Sequence, residues 1–344
     1  MQIEFIRQRL RALGAKPEHE QRVLRDWLQG RSHDQGRRRA QDYLPLMLRE
    51  ALPRIDAELR GMARLVASHP TEEEGSARLL VGLDDGQTVE SVLLPRGGLC
   101  VSTQVGCAVG CQFCMTGRSG LIRQLTSGEI AAQVALARTQ RAVKKVVFMG
   151  MGEPSHNFGN VMEAIELLGT EGNIGHKSLV FSTVGDLRVF ERLGQGAVKP
   201  ALALSLHTTK ADLRERLLPR APRLTPQELV DLAEDYGRAT AYPVQYQWTL
   251  LDGINDGDDE IEGIVQLFKG RYGVLNLIPY NSVPDLPFRR PATERAREMV
   301  RILHRRGILA KLRDSAAQDV DGGCGQLRAR AIGTQASIIR IRAA

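Results

Sequence analysis

Three cysteines, Cys107, Cys111 and Cys114, fall in one short stretch as Cys-x-x-x-Cys-x-x-Cys. Gly106, Gly110 and Gly117 punctuate the same stretch, so the backbone can wrap closely around whatever the thiolates hold. Thiolate ligands select zinc, copper(I) or an iron–sulfur cluster. A structural zinc site wants four protein ligands, and the next His or Cys after the triad, His156, sits on another expected loop. Three thiolates would leave one iron of a four-iron cluster open to a substrate or cofactor. A zinc site completed from elsewhere in the chain, or thiols that bind nothing, are the alternatives. Cys100 and Cys324 bring the count to five. An odd number crowded around one loop argues for metal binding or redox chemistry over a disulfide framework.

These residues need elements to position them. From Leu99 onward, short apolar runs alternate with helix-length segments. The runs are 100–105, 145–149, 178–182, 201–206, 244–250 and 274–278, and 308–313 is a candidate edge strand. Amphipathic stretches at 127–141, 160–168 and 225–238 lie between them, the grammar of a parallel βα array with buried strands. In βα barrels the chemistry gathers where strand C-termini meet their loops. The unusual residues fall there: the cysteine triad after the first run, Gly150-Met151-Gly152-Glu153-Pro154 after the second, Ser182 to Gly185 at the third, Ser205-Leu206-His207 at the fourth, and Pro279-Tyr280-Asn281 after the sixth. Upstream, 77–83 and 88–94 are β-branched runs joined by Asp84-Asp85-Gly86-Gln87, a hairpin signal. Residues 1–66 read as helical, with a further helix over 42–67 and a polar linker over 70–76.

Composition bounds the class. Apolar residues make up 42% and charged residues 25%, which excludes wholesale disorder and a collagen-like fibre. No run is long and apolar enough for a membrane span. Met1 to Leu13 is charged throughout, so no signal peptide and a cytoplasmic location are expected. The net charge of +7 is uneven: residues 1–60 and 289–344 are basic, while the middle is acidic. Two basic ends around an acidic body suit contact with a polyanion, although solvated helix faces would look the same.

The triad after a first strand resembles the radical S-adenosylmethionine (SAM) superfamily. The match goes further: Leu99-Cys100-Val101-Ser102-Thr103-Gln104-Val105-Gly106-Cys107, Met149-Gly150-Met151-Gly152-Glu153-Pro154, Ser205-Leu206-His207, Asn276-Leu277-Ile278-Pro279 and Cys324-Gly325-Gln326-Leu327 together resemble the RlmN/Cfr family of radical-SAM RNA adenosine methyltransferases. The resemblance runs from about Val89 to Leu327, and it departs from the family at Glu74-Gly75-Ser76-Ala77-Arg78 and at Ala316-Ala317. It implies an α/β fold, a partial (β/α)6 radical-SAM barrel over 99–330. A helical accessory domain over 1–69, a linker and β-hairpin over 70–98, and a short basic tail over 331–344 complete the expected layout.

The resemblance also implies roles. Cys107, Cys111 and Cys114 would ligate one 4Fe-4S cluster, whose open iron chelates SAM for reductive cleavage to a 5′-deoxyadenosyl radical. Gly152, Glu153, Ser182, Ser205, Leu206, His207 and Asn281 would form the SAM pocket. Cys324 would carry the methyl group as S-methylcysteine. Glu90 would accept a proton, and Cys100 would release the product through a transient disulfide with Cys324. The reaction expected is methyl transfer to C2 or C8 of an adenosine in ribosomal or transfer RNA. A flavodoxin or ferredoxin would donate electrons, and a monomer is expected. Thiolate and carboxylate chemistry fits these roles. Two other readings stand beside this one: the same two-cysteine chemistry on a different substrate, and a non-catalytic iron–sulfur RNA-binding protein. Taken singly, Glu153 could cap a helix, His207 could be structural, Glu90 could be a solvated strand residue and Cys324 a core thiol.

Overall fold

A computed structural model describes residues 1–35, 39–72, 75–118 and 120–329. Arg37 and Arg38 of the basic N-terminal run, Glu74 and the 331–344 tail lie outside the described residues. Three helices open the chain: α1 (Ile3–Ala12), α2 (Pro17–Leu28) and α3 (Leu46–Gly61). Strands β1 (Arg64–Pro70), β2 (Ala77–Gly82) and β3 (Thr88–Leu94) follow, then β4 (Gly98–Cys100), β5 (Gln104–Gly106) and β6 (Leu121–Gln124). The remainder alternates: α4 (Ser127–Arg138), β7 (Lys145–Phe148), α5 (Phe158–Gly169), β8 (Leu179–Thr183), α6 (Leu187–Leu193), β9 (Ala201–Ser205), α7 (Ala211–Leu217), α8 (Pro226–Thr240), β10 (Val244–Leu250), α9 (Asp258–Phe268), β11 (Gly273–Pro279), α10 (Thr293–Arg305) and β12 (Ala310–Leu312).

One open sheet runs β1-β2-β3-β4-β7-β8-β9-β10-β11-β12. From β4 to β12 every pairing is parallel, which gives the expected α/β barrel-type array, and the candidate edge strand at 308–313 is β12. The strands are apolar on both faces, as parallel strands covered by helices must be. The hairpin turn forms where Asp-Gly predicts it, with Gly86 at φ +83.

Two readings need correction. The first barrel strand is not 100–105: β4 ends at Cys100, the chain leaves the sheet, and Gln104–Gly106 pairs antiparallel with β6 in a separate ribbon. Residues 100–105 are all buried, so burial is the same on either side and hides such a break. The second concerns 42–67, where the helix ends at Gly61 and Arg64–Pro70 is a strand antiparallel to β2. The hairpin therefore extends the barrel sheet by three antiparallel strands. The expected 1–69 helical segment ends inside that extension. Its helices share the barrel's core: Leu10, Leu24, Leu28 and Leu48 belong to one apolar cluster with Ile130 and Val134 of α4.

Helix α4 fixes the sheet at the point where the site begins. Thr126 and Glu129 form a reciprocal capping box at its start. One turn on, the buried Gln133 accepts from the Ser91 hydroxyl at 2.8 Å and from the Ser102 N–H at 2.9 Å, and donates to the Ser102 carbonyl at 2.9 Å. That bracket holds β3 against the segment leaving β4. No helix among the described residues is long and apolar enough to cross a membrane.

Candidate active site

The five strand ends singled out in the sequence meet at one end of the sheet. Gly152 has φ +104, and a Cβ there would lie 2.6 Å from the Gln104 side chain. Only glycine therefore lets this loop close over the cysteine-bearing segment. The Glu153 N–H donates to Gln104 Oε1 at 2.7 Å, while the Glu153 carboxylate accepts from Ser155 N–H and Val184 N–H, each at 3.1 Å. Its side chain is thus partly a cap, as one plain reading had it, and also ties the end of β7 to the end of β8. Burial raises its pKa above the ordinary carboxylate value.

Ser182 is the penultimate residue of β8 and Ser205 the last of β9, and Leu206 after it is fully buried. His207 adopts φ +67, which is strained for a residue with a Cβ. The Asn255 side-chain amide donates to the His207 carbonyl at 2.7 Å and secures that turn. His207 Nδ1 accepts from Thr249 N–H at 3.0 Å, and burial lowers the imidazole pKa to about 3. The ring is therefore neutral, with its proton on Nε2. It meets Phe113 of the cysteine loop edge-on, with centroids 4.9 Å apart.

The cysteine loop is closed by its own backbone. The Cys107 N–H donates to the Gly120 carbonyl and the Cys114 N–H to the Cys111 carbonyl, at 3.0 and 3.1 Å. A Cβ on Gly117 would lie 2.8 Å from the Gly110 Cα, the close wrapping the glycine spacing predicts. The Val109 and Gly110 N–H groups near the Cys107 sulfur, and those of Thr116 and Gly117 near that of Cys114, favour the thiolate forms. Burial nevertheless pushes Cys107 up to about 12 and raises Cys111 and Cys114, with the neighbouring sulfurs adding to the rise at Cys107 and Cys111. Without a positive centre these thiols keep their protons. With one, N–H groups already stand aimed at the thiolates. Among the described residues no three His, Cys, Asp or Glu side chains converge as one metal ion would need. The triad fits a polynuclear cluster, in which each thiolate takes a different iron.

Cys324 is exposed and rides on a loop laid across the cysteine loop. The Met115 N–H donates to the Gly325 carbonyl at 2.8 Å, and the Thr116 hydroxyl to the Leu327 carbonyl at 2.8 Å. Asn281 donates its amide to both the Ser315 hydroxyl and the Cys324 carbonyl at 2.9 Å, and the Ser315 hydroxyl near the Cys324 sulfur favours its thiolate form. Asn281 thus holds the Cys324 loop directly, and its buried Oδ1 has no partner among the described residues. Cys324 lies near enough to Cys100 and Cys114 for mutual charge effects, yet Cys100 and Cys324 are both free thiols.

Cys100 ends β4 and pairs with Val92. Cross-strand partners share a face and residues two apart on a strand do too, so Glu90 faces the same side as Cys100. Glu90 is fully buried in an ion pair with Arg78, and its second oxygen accepts from the Arg328 N–H at 2.8 Å. It is no solvated strand residue, and it anchors the chain just beyond the Cys324 loop.

Several contributors carry no motif that sequence reasoning assigned a role. Gln104 and Gln326 sit inside quoted motifs; Gln326 accepts from Gly323 N–H and donates to the Ser282 carbonyl, each at 3.0 Å. Ser315 and Arg214 had no such signal. Both matter through contacts that only the folded chain makes.

A sheet of this topology with a three-cysteine loop at its functional end defines a radical-SAM protein, and the model of the Radical SAM superfamily matches residues 101–268. Proteins called "Probable RNA methyltransferase" resemble almost the whole chain. One from Leptothrix cholodnii is 70% identical over 342 residues, covering 99% of this chain and 98% of its own. Another from Methylibium petroleiphilum is 72% identical over 334 residues, covering 97% and 94%. The crystal structure of a radical SAM methyltransferase from Sphaerobacter thermophilus superposes with a TM-score of 0.82 at 34% identity, over 96% of this chain and 98% of that one. The chain belongs to the RlmN-like radical-SAM RNA methyltransferases and is a radical-SAM methyltransferase. Membership implies a 4Fe-4S cluster and SAM.

Proposed function

We propose that this enzyme transfers a methyl group from SAM to C2 or C8 of an adenosine in ribosomal or transfer RNA, with Cys324 as the carrier. The observation behind this reading is the placement of Cys324: exposed, strapped to the cysteine loop, and beside a second thiol, Cys100. Cluster and SAM, when bound, supply the methyl group and the one-electron chemistry that activates it. Cys107, Cys111 and Cys114 hold the cluster. Gly152, Glu153, Ser182, Ser205, Leu206 and His207 line the SAM pocket, with Asn281 bridging that pocket to the carrier loop.

The protein's own residues do the rest. An electron-poor ring carbon of adenine resists nucleophilic methylation, so the methyl group is first attached to a sulfur, which is a strong nucleophile when deprotonated. After transfer, RNA and Cys324 are joined through the methyl carbon. Glu90, paired with Arg78, takes the proton from the adduct. Cys100, as the thiolate, forms a sulfur–sulfur bond with Cys324 as the carbon–sulfur bond breaks; the bond pair leaves with the methylene carbon, which takes up a proton to become the methyl group, and external reductant restores both thiols. The enzyme works in the cytoplasm as a monomer, with a flavodoxin or ferredoxin as its electron source.

Digested ribosomal and transfer RNA from wild-type and deletion strains, compared by mass spectrometry, should lose one C-methyladenosine isomer. An unchanged profile would move the chemistry to another substrate. In vitro, Cys324→Ala should abolish methyl transfer while SAM cleavage survives; methyl transfer by that variant would remove Cys324 from the mechanism.

A further inference from the structure

Arg214 lies on α7, which packs on the cysteine loop. Leu213 and Leu217 share an apolar cluster with Cys107, Val109 and Phe113, and the Gln112 N–H donates to the Leu217 carbonyl at 2.9 Å. Arg214 is only 3% exposed. Its guanidinium donates to the Val184 and Ser205 carbonyls at the ends of β8 and β9, and its buried Nε has no partner among the described residues. Among the described residues it joins no ion pair. Burial lowers its pKa to about 10, so it stays charged at neutral pH. The groups close enough for their negative forms to act on it are Cys111 and Glu153, and Glu153 already directs its oxygens to Ser155 and Val184.

A buried cation with only carbonyl dipoles for company is costly until an anion arrives. A four-iron cluster on three thiolates is net negative, and one added electron makes it more so. We propose that Arg214 is the counter-charge of the cluster at Cys107, Cys111 and Cys114, a positioning residue that favours cluster loading and the reduced state. Net charge and hydrogen bonding near the sulfurs set the potentials of such clusters. The proposal rests on the cluster reading above, and the two fail separately. Wild-type enzyme that takes up no iron and sulfide would refute the cluster reading, whatever Arg214 does.

The test compares full-length wild type, Arg214→Met and Arg214→Lys, reconstituted with iron and sulfide without SAM. Midpoint potentials come from dithionite titration followed by electron paramagnetic resonance. Denaturant midpoints are taken for the apo and loaded forms. The Met variant should show a more negative potential, and a smaller gain in stability on loading, than wild type. The Lys variant, which keeps the charge and loses the planar fork, should restore most of both. An unchanged potential and loading gain in the Met variant would overturn the proposal. So would a Lys variant as impaired as the Met one, since the carbonyl contacts rather than the charge would then be what counts. Should the Met variant take up no cluster, uptake by the Lys variant supports the proposal and failure of both overturns it.

Discussion

At Gly117 the chain leaves no room for a methyl group, because backbone atoms of Gly110 and Cys111 stand 2.8–3.4 Å from where it would go. Backbone cannot step aside as a flexible side chain can, so Gly117→Ala must open the loop that sets the three sulfurs. We expect a loss of about 1–3 kcal/mol, the usual scale for overpacking, with reduced iron per chain after reconstitution. Thermal unfolding and iron analysis check this, and full iron at wild-type stability would show that the wrap is dispensable. The triad, its glycines and Cys324 were legible as types and spacings. The working contacts of Ser315 and Asn281 were not, since a serine or an asparagine has no spacing signature of its own. Glu153 shows the mixture: its place in the Gly152-Glu153 motif was readable, whereas one of the two N–H groups its carboxylate binds comes from Val184, just past β8 and thirty-one residues away.

Between elements, the joint at the end of β4 decides where Cys100 points. The strand stops at Cys100, and Gln133 of α4 receives the backbone of Ser102 as it departs. Gln133→Leu keeps the volume of the side chain but leaves the Ser102 N–H and carbonyl and the Ser91 hydroxyl without this partner. At about 1–3 kcal/mol for each buried polar group left unsatisfied, the variant should unfold at clearly lower denaturant, and Cys100 should react faster with thiol reagents. Wild-type thiol reactivity would show that the bracket does not set the strand end. Alternation and turn residues made most strands and helices readable. The run at 100–105 hid a sheet change, and the strand at 64–70 was taken for the end of a helix. Its apolar positions alternate too weakly, and the partner strand that fixes it lies beyond a loop.

Across the whole molecule, the helical N-terminal segment is tied together by His33, whose ring bonds Asp26 on α2 at 3.2 Å and Asp56 on α3 at 2.9 Å. Burial alone would lower its pKa, but the bonds to the two carboxylates outweigh it and raise the value to about 9. A raised folded-state pKa stabilises fully below the unfolded value of about 6.5, and that contribution, on the order of 3 kcal/mol, is lost as pH rises through 9. Wild type should therefore lose stability between pH 7 and 10 more steeply than His33→Gln, measured by denaturant unfolding; parallel profiles would show that His33 does not titrate in this way. The sequence by itself determined the chemistry available, namely five cysteines at telling spacings, glycines that permit a tight loop, and a βα grammar whose strand ends collect the unusual residues. Local composition and periodicity suffice for that, because they act within a turn or a strand. Only the tertiary structure decided which groups meet: Arg78 with Glu90, Asn281 and Ser315 with Cys324, Arg214 beneath the cysteine loop. Burial and charge at those places depend on residues tens to hundreds of positions apart, and a linear pattern carries no record of them.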